Sequence, residues 1–161
     1  MKKTGYAAPA RPAKNEFASI RVALVATRWN TDVVDALLKG ARGCLKEWGV
    51  AAERIHEFRV PGAFEIPLAL EHLARTRRYD GAVALGAVIR GDTPHFDYVA
   101  GGCTNGLQDV SLRHQWPIGF GVLTVDNAAQ AAARSKPGKA NKGYESASAM
   151  LEMVRFKRES A

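Results

Sequence analysis

Residues 82–89 read AVALGAVI, and residues 90–97 continue RGDTPHFD. The first eight carry no polar side chain. A strand with one wet face alternates apolar and polar residues, so an unbroken apolar run of this length marks a central parallel strand covered on both faces. Asp80-Gly81 supplies the turn before it. After it, Thr93 is read as the cap of a helix whose first position is Pro94, where the missing N–H loses no helical bond. One doubly covered strand requires helices above and below a sheet.

The flanking sequence supplies them. Ile20–Ala26 is a second short apolar run rich in β-branched residues. Asn30 then caps a helix that carries Val33, Val34, Leu37, Leu38, Cys44, Leu45 and Trp48 at mostly helical spacing, with Gly49 as its stop. Ile55–Val60 alternates as a strand, and Pro67 opens a helix that buries Ile66, Leu70 and Leu73. Downstream, Gly101, Gly102 and Gly106 lie inside the helix that starts at Thr93-Pro94; as poor helix formers, their use is close packing. Pro117–Val125 is a fourth strand, and Asp126 or Asn127 caps an alanine-rich helix ending near Arg134. The loop Ser135–Ala140 precedes a last helix that buries Ala147, Met150, Leu151 and Val154. Strands separated by helices predict right-handed crossovers and a three-layer α/β/α sandwich on a four-stranded parallel sheet, a flavodoxin-like arrangement. The catalytic domain is read over residues 17–161, and residues 1–16, rich in Ala, Pro and Lys, as a flexible arm.

The totals exclude several classes. A chain of 161 residues suits one domain with one sizeable core. No apolar stretch approaches the roughly 20 residues that span a bilayer, and Lys2 and Lys3 are followed by no apolar segment of a secretory signal. The expectation is a cytoplasmic protein without membrane contact. Cys44 and Cys103 form no metal-ligand spacing and read as two reduced thiols. The net charge of +7 raises nucleic acid as a partner, but its distribution argues otherwise. Residues 17–133 hold twelve basic and twelve acidic side chains, so the excess lies in the arm and in residues 134–161. No zinc-finger, basic-zipper or aromatic RNA-binding motif accompanies it, and no nucleic-acid partner is expected.

Ligands of such sheets bind beyond the C-terminal strand ends, where the unusual segments of this chain lie. Thr27-Arg28-Trp29-Asn30 follows the first strand; Trp29 can pack or stack on a ring. Pro61-Gly62-Ala63-Phe64-Glu65 follows the second, a small-residue turn whose free N–H groups and carboxylate suit the hydroxyls of a polyol, though Glu65 also suits a helical first turn for its charge alone. In Arg90–Asp97, Gly91 permits close approach to the backbone and the helix start points its positive end at the same place, which suits a phosphate. Asp92 would repel that anion and is expected to face away or cap the helix. His95 can move protons near neutral pH, or be incidental. Arg134, Lys136, Lys139, Asn141, Lys142 and Glu145 form a last cluster, read either as an anion site or as solvated charge.

PGAFEIP (61–67), VALGAVIRGDTPHFDYV (83–99), FGVLT (120–124) and NKGYE (141–145), in this order and spacing, strongly resemble the lumazine synthases. The resemblance runs from about Ile20 to about Met153, and the segment around IRGDTPHFD is close to diagnostic. Trp29 stands where that family usually has Phe, and the Ser135–Ala140 loop departs in detail, so no role passes to Lys136 or Lys139. The resemblance implies an enzyme without cofactor or metal that condenses 5-amino-6-ribitylaminouracil with 3,4-dihydroxy-2-butanone 4-phosphate in the penultimate step of riboflavin biosynthesis. It implies that Trp29 stacks on the pyrimidine, that Ala63, Phe64 and Glu65 hold the ribityl chain, and that Val88 and Ile89 contact the ring. Lys142 reaches a ring carbonyl, Gly91, Asp92 and Thr93 with Arg134 receive the phosphate, and His95 shuttles protons. Phe120, Arg134 and Lys142 are implied to come from a neighbouring subunit of a homopentamer, and a short 135–140 loop leans toward closure into a 60-subunit shell. Two rivals remain at this stage: a riboflavin synthase of the archaeal type, disfavoured by Thr93 and Arg134, and a non-enzymatic flavin carrier, disfavoured by His95 and the phosphate set.

Overall fold

In the computed structural model, which describes residues 5–161, the apolar run at 82–89 is strand β3, Gly81–Ile89. It lies between β1 (Val22–Thr27) and β4 (Ile118–Val125), and β2 (Ile55–Val60) flanks β1, so the sheet order is β2-β1-β3-β4. All pairs are parallel, with Val22 opposite both Ile55 and Gly81, and Ala82 opposite Ile118. The two central strands are the two without an exposed residue, as burial on both faces demands.

Among the described residues, five α-helices cover the sheet: α1 (Thr31–Glu47), α2 (Ile66–Thr76), α3 (His95–His114), α4 (Ala128–Arg134) and α5 (Lys142–Glu159). One face of β1 and β3 offers Val22, Leu24, Val83 and Leu85 to a core completed by Leu37, Leu38 and Leu45 of α1 and Met150 and Leu151 of α5. The other offers the smaller Ala23, Ala82 and Ala84 to Ile66 and Leu70 of α2 and to Cys103, Leu107 and Val110 of α3. Between α2 and α3, Glu71 is gripped by Arg75, His114 and Arg113, which together hold its carboxyl down at about 2. The result is the single three-layer α/β/α domain read from the sequence.

Several local readings change. Asn30 does not cap α1 through its side chain: it adopts a left-handed conformation (φ 56°, ψ 52°), and its amide donates to the Ala87 carbonyl at 3.0 Å instead. The helix after Thr93-Pro94 starts one residue late, with Pro94 at the cap position and Thr93 Oγ1 only accepting a long 3.4 Å bond from the His95 N–H. Asn127, not Asp126, caps α4. In α2 the turn is completed by buried Ala74, while Leu73 is half-buried. Gly106 of α3 does permit close packing against Pro67, but a Cβ at Gly102 would meet the Phe64 ring at ordinary contact distance and one at Gly101 would face open space. Of the arm read over residues 1–16, residues 1–4 lie outside the described residues. Farther along it, Arg155 pairs with Glu16 at 2.6 Å and donates to the Ala10 carbonyl, laying this segment on α5.

The seat of α5 is tight. Asn141 accepts from the Gly143 and Tyr144 N–H groups at 2.8 and 3.2 Å and donates to the Ala36 and Ser135 carbonyls at 3.2 and 2.9 Å. A side chain at Gly143 would overlap the carbonyl of Leu37. Gly143→Ala should therefore cost more than about 3 kcal/mol, well above the roughly 1 kcal/mol typical of point substitutions. Urea unfolding of both proteins checks this; a change within experimental scatter refutes the close crossing. The thiols give a second test. Burial pushes Cys103 up to about 11, and burial with Glu47 nearby pushes Cys44 up to about 12. The native state keeps these protons where the unfolded chain, with thiols near 9, has shed them, so this stability is complete below about pH 9 and is lost as pH rises through 11 to 12. Both thiols should resist a disulfide reagent at about pH 8 until the chain is unfolded.

Candidate active site

At the C-terminal ends of β1 and β3 the chain order reverses: β1 leads outward to β2 on one side, and β3 leads to β4 on the other. Such a reversal opens a crevice between the two strands. Here it holds a cleft of about 660 Å³. Three segments build its walls.

The first follows β1. The Arg28 N–H donates to the carbonyls of Val60 and Pro61, which pins this turn to the end of β2. Asn30, in the left-handed region that asparagine tolerates better than most residues, bridges the crevice to Ala87. Trp29, between them, is left 72% exposed with its indole in the cleft. The second follows β2 as a short 3-10 turn, Ala63–Glu65, leading directly into α2. Gly62 sits close beneath both side chains: a Cβ would lie 3.2 Å from a Glu65 carboxylate oxygen and 3.3 Å from the Trp29 ring, which would have to give by a few tenths of an ångström. The third is Val88 through the first turn of α3. Among the described residues, no acceptor meets the N–H groups of Gly91, Asp92 or Thr93. These open donors lie at the positive end of a 20-residue helix, beside the Thr93 hydroxyl, an arrangement whose chemistry suits an anion. His95, exposed, stands at the first position of that helix and lines the same cleft.

An exposed indole at one place, open anion-binding donors at another and an imidazole in reach suit a ring-bearing reactant and a phosphorylated one. The 6,7-dimethyl-8-ribityllumazine synthase family model matches residues 19–158. A 6,7-dimethyl-8-ribityllumazine synthase of Desulfovibrio desulfuricans is 49% identical over 136 residues, covering 84% of this chain and 87% of the relative. The chain belongs to the lumazine synthase family. It is an enzyme, a transferase of riboflavin biosynthesis, and both rival readings of the sequence give way to that membership.

Of the lumazine synthase residues expected from the sequence, the cleft brings together Trp29, Ala63, Phe64, Glu65, Val88, Ile89, Gly91, Thr93 and His95. Asp92 is exposed in the loop between Gly91 and Thr93 but does not line the cleft. Phe120, Arg134 and Lys142 do not line it either. Phe120 is 49% exposed on the edge strand β4, Arg134 donates to the Gln130 carbonyl within its own helix, and Lys142 pairs with Glu145 at 2.6 Å. The structure adds residues that the sequence reading had not singled out as site residues: Thr27, Asn30, Gly62, Ala87, Phe96, Tyr98 and Val99 also line the cleft. Val99 carried a signal, lying one helical turn beyond His95 on the same face. Asn30 carried a misleading one, since an asparagine before a helix ordinarily reads as a cap. Among the described residues, no helix is long and apolar enough to cross a membrane.

Proposed function

We propose that this chain condenses 5-amino-6-ribitylaminouracil with 3,4-dihydroxy-2-butanone 4-phosphate in the cleft, giving 6,7-dimethyl-8-ribityllumazine. The observation that carries the reading is the set of open Gly91, Asp92 and Thr93 N–H groups in the segment that runs from the cleft-lining Val88 to His95, in a chain that also places the Trp29 indole there. The substrate's own amine attacks the ketone and water leaves as the imine forms. Phosphate is then eliminated, and the ribityl-bearing nitrogen closes the ring with loss of a second water. No nucleophile of the chain is needed, so catalysis is chiefly the positioning of two reactants with proton transfers added.

In this reading Trp29 stacks on the pyrimidine, Val88 and Ile89 contact its edge, and Ala63, Phe64 and Glu65 hold the ribityl hydroxyls. The amides of Gly91 and Asp92, with Thr93, receive the phosphate, while the Asp92 carboxylate stays in solvent, away from the anion. His95 moves the protons. Among the described residues, no Lys or Arg side chain lines the chain's own cleft, and a neighbouring subunit supplies Phe120, Arg134 and Lys142 across the β4 edge of a homopentamer. Ahead of the stretch that Arg155 holds on α5, the N-terminal arm extends the neighbour's sheet edge, and the short 135–140 loop favours a 60-subunit shell. The enzyme works in the cytoplasm with its two small-molecule substrates.

Incubating the purified protein with both substrates and recording the appearance of lumazine fluorescence tests the activity directly. His95→Ala should slow turnover by about 10²–10⁴-fold without abolishing it, because positioning survives the loss of the imidazole. Complete inactivity of a correctly assembled variant contradicts this. For the shared site, Arg134→Ala should weaken use of the sugar phosphate by about 1.5–3 kcal/mol, the range of a charged hydrogen bond. Trp29→Ala and Arg134→Ala proteins, each impaired on its own at low sugar phosphate, should regain activity when refolded together, since some interfaces then hold two intact halves. Mixed rings that recover nothing refute a site shared between subunits.

A further inference from the structure

Arg90 follows β3 directly, next to the anion-binding loop, yet its side chain does not line the cleft. Its Nε donates to Asp126 just past β4 at 3.2 Å, its Nη1 to Asp97 in the first turn of α3 at 3.4 Å, and its guanidinium lies 4.2 Å from the centre of the Phe96 ring. Its own N–H donates to the Val125 carbonyl at 2.9 Å, continuing the β3–β4 ladder. One side chain thus joins the ends of two strands to the helix turn that carries His95. Phe96, under the guanidinium, has the cleft on its other side. Among the described residues, the only side-chain bond within the 91–95 loop is the 3.4 Å contact of Thr93 with the His95 N–H, beside the backbone bond of the Asp97 N–H to the Pro94 carbonyl at 2.9 Å.

We propose that Arg90 is a positioning residue for the reaction, one that fixes the first turn of α3, and with it Thr93 and His95, relative to the end of β3. This rests on the reading of the cleft as the site of the condensation. The residue type fits the task. A planar guanidinium divides its donors between two carboxylates while its face stacks on a ring, which a lysine ammonium does not do. Exposed ion pairs add little to global stability, so the effect is local. Geometry is where it matters, because a displacement of about 1 Å in a catalytic arrangement can reduce turnover by about 10²-fold.

The test compares Arg90→Met, which keeps an apolar stem beside Phe96, with Asp97→Asn and Arg90→Lys in the assembled enzyme. For Arg90→Met the expected result is a fall in kcat of about 10–100-fold. The KM for the pyrimidine, whose stacking residue lies on the opposite wall, should stay within about twofold. Amide hydrogen exchange should quicken in residues 93–99 and stay unchanged in α1 and α5. Asp97→Asn should shift both readouts in the same direction by less, and Arg90→Lys should recover part of the loss. Unchanged kcat and unchanged exchange at 93–99 overturn the proposal. So does a uniform rise in exchange across the chain with a lowered Tm, which marks a merely structural role. If the wild-type protein makes no lumazine, the activity reading fails by itself, and the exchange comparison still decides whether Arg90 orders the turn.

Discussion

The carboxamide of Asn141 is 2% exposed and makes four hydrogen bonds, two to N–H groups that open α5 and two to carbonyls of α1 and of the residue that ends α4. A buried amide left without partners is costly, so these four groups are bound to one arrangement. Because Gly143 lets the backbone of α5 rest on that of α1, the two helices cross at contact, and Asn141 occupies space that a side chain at Gly40 would take. The core beneath them, from Leu37 and Leu38 to Met150 and Leu151, is packed by that crossing. Lys142 and Arg134 are the residues next to the atoms so held.

The same economy of contacts governs the cleft. Asn30 reaches across the crevice to Ala87, and Arg28 ties its turn to the end of β2, so the exposed indole of Trp29 is carried on a turn anchored at both neighbours. An aromatic ring left in solvent gains nothing for the fold; it is free for a ligand because the backbone around it is already fixed. On the opposite wall, the N–H groups of residues 91–93 lie just ahead of α3 and meet no acceptor among the described residues, which leaves donors for an anion at the positive end of the helix.

How far the chain could be read without coordinates depends on the range of the forces involved. The apolar run at 82–89 and the short runs at 20–26 and 117–125 are decided by local periodicity and burial, and their order with the helices left one layered arrangement open. Seven residues of the cleft were legible because they lie in segments that follow the C-terminal ends of strands, which topology brings together in any sheet of this kind, and Val88 and Ile89 came from the resemblance to the lumazine synthases. The roles of Asn30 and Arg90 were not legible. Asparagine before a helix and arginine after a strand have several partners within reach along the chain, and the ones they take, Ala87 and the pair Asp97 and Asp126, lie 57, 7 and 36 positions away.

By itself, then, the sequence determined the layered parallel sheet, the segments that meet at its C-terminal edge and the family to which the motifs belong, since each rests on spacing along the chain. Only the tertiary structure decided that Arg90 turns from the cleft to bind the first turn of α3, that Asn141 locks α5 to α1, and that Phe120, Arg134 and Lys142 stand apart from the cleft of their own chain. Those outcomes depend on which polar groups come within about 3 Å of one another after the core has packed, a distance that no periodicity in the sequence encodes.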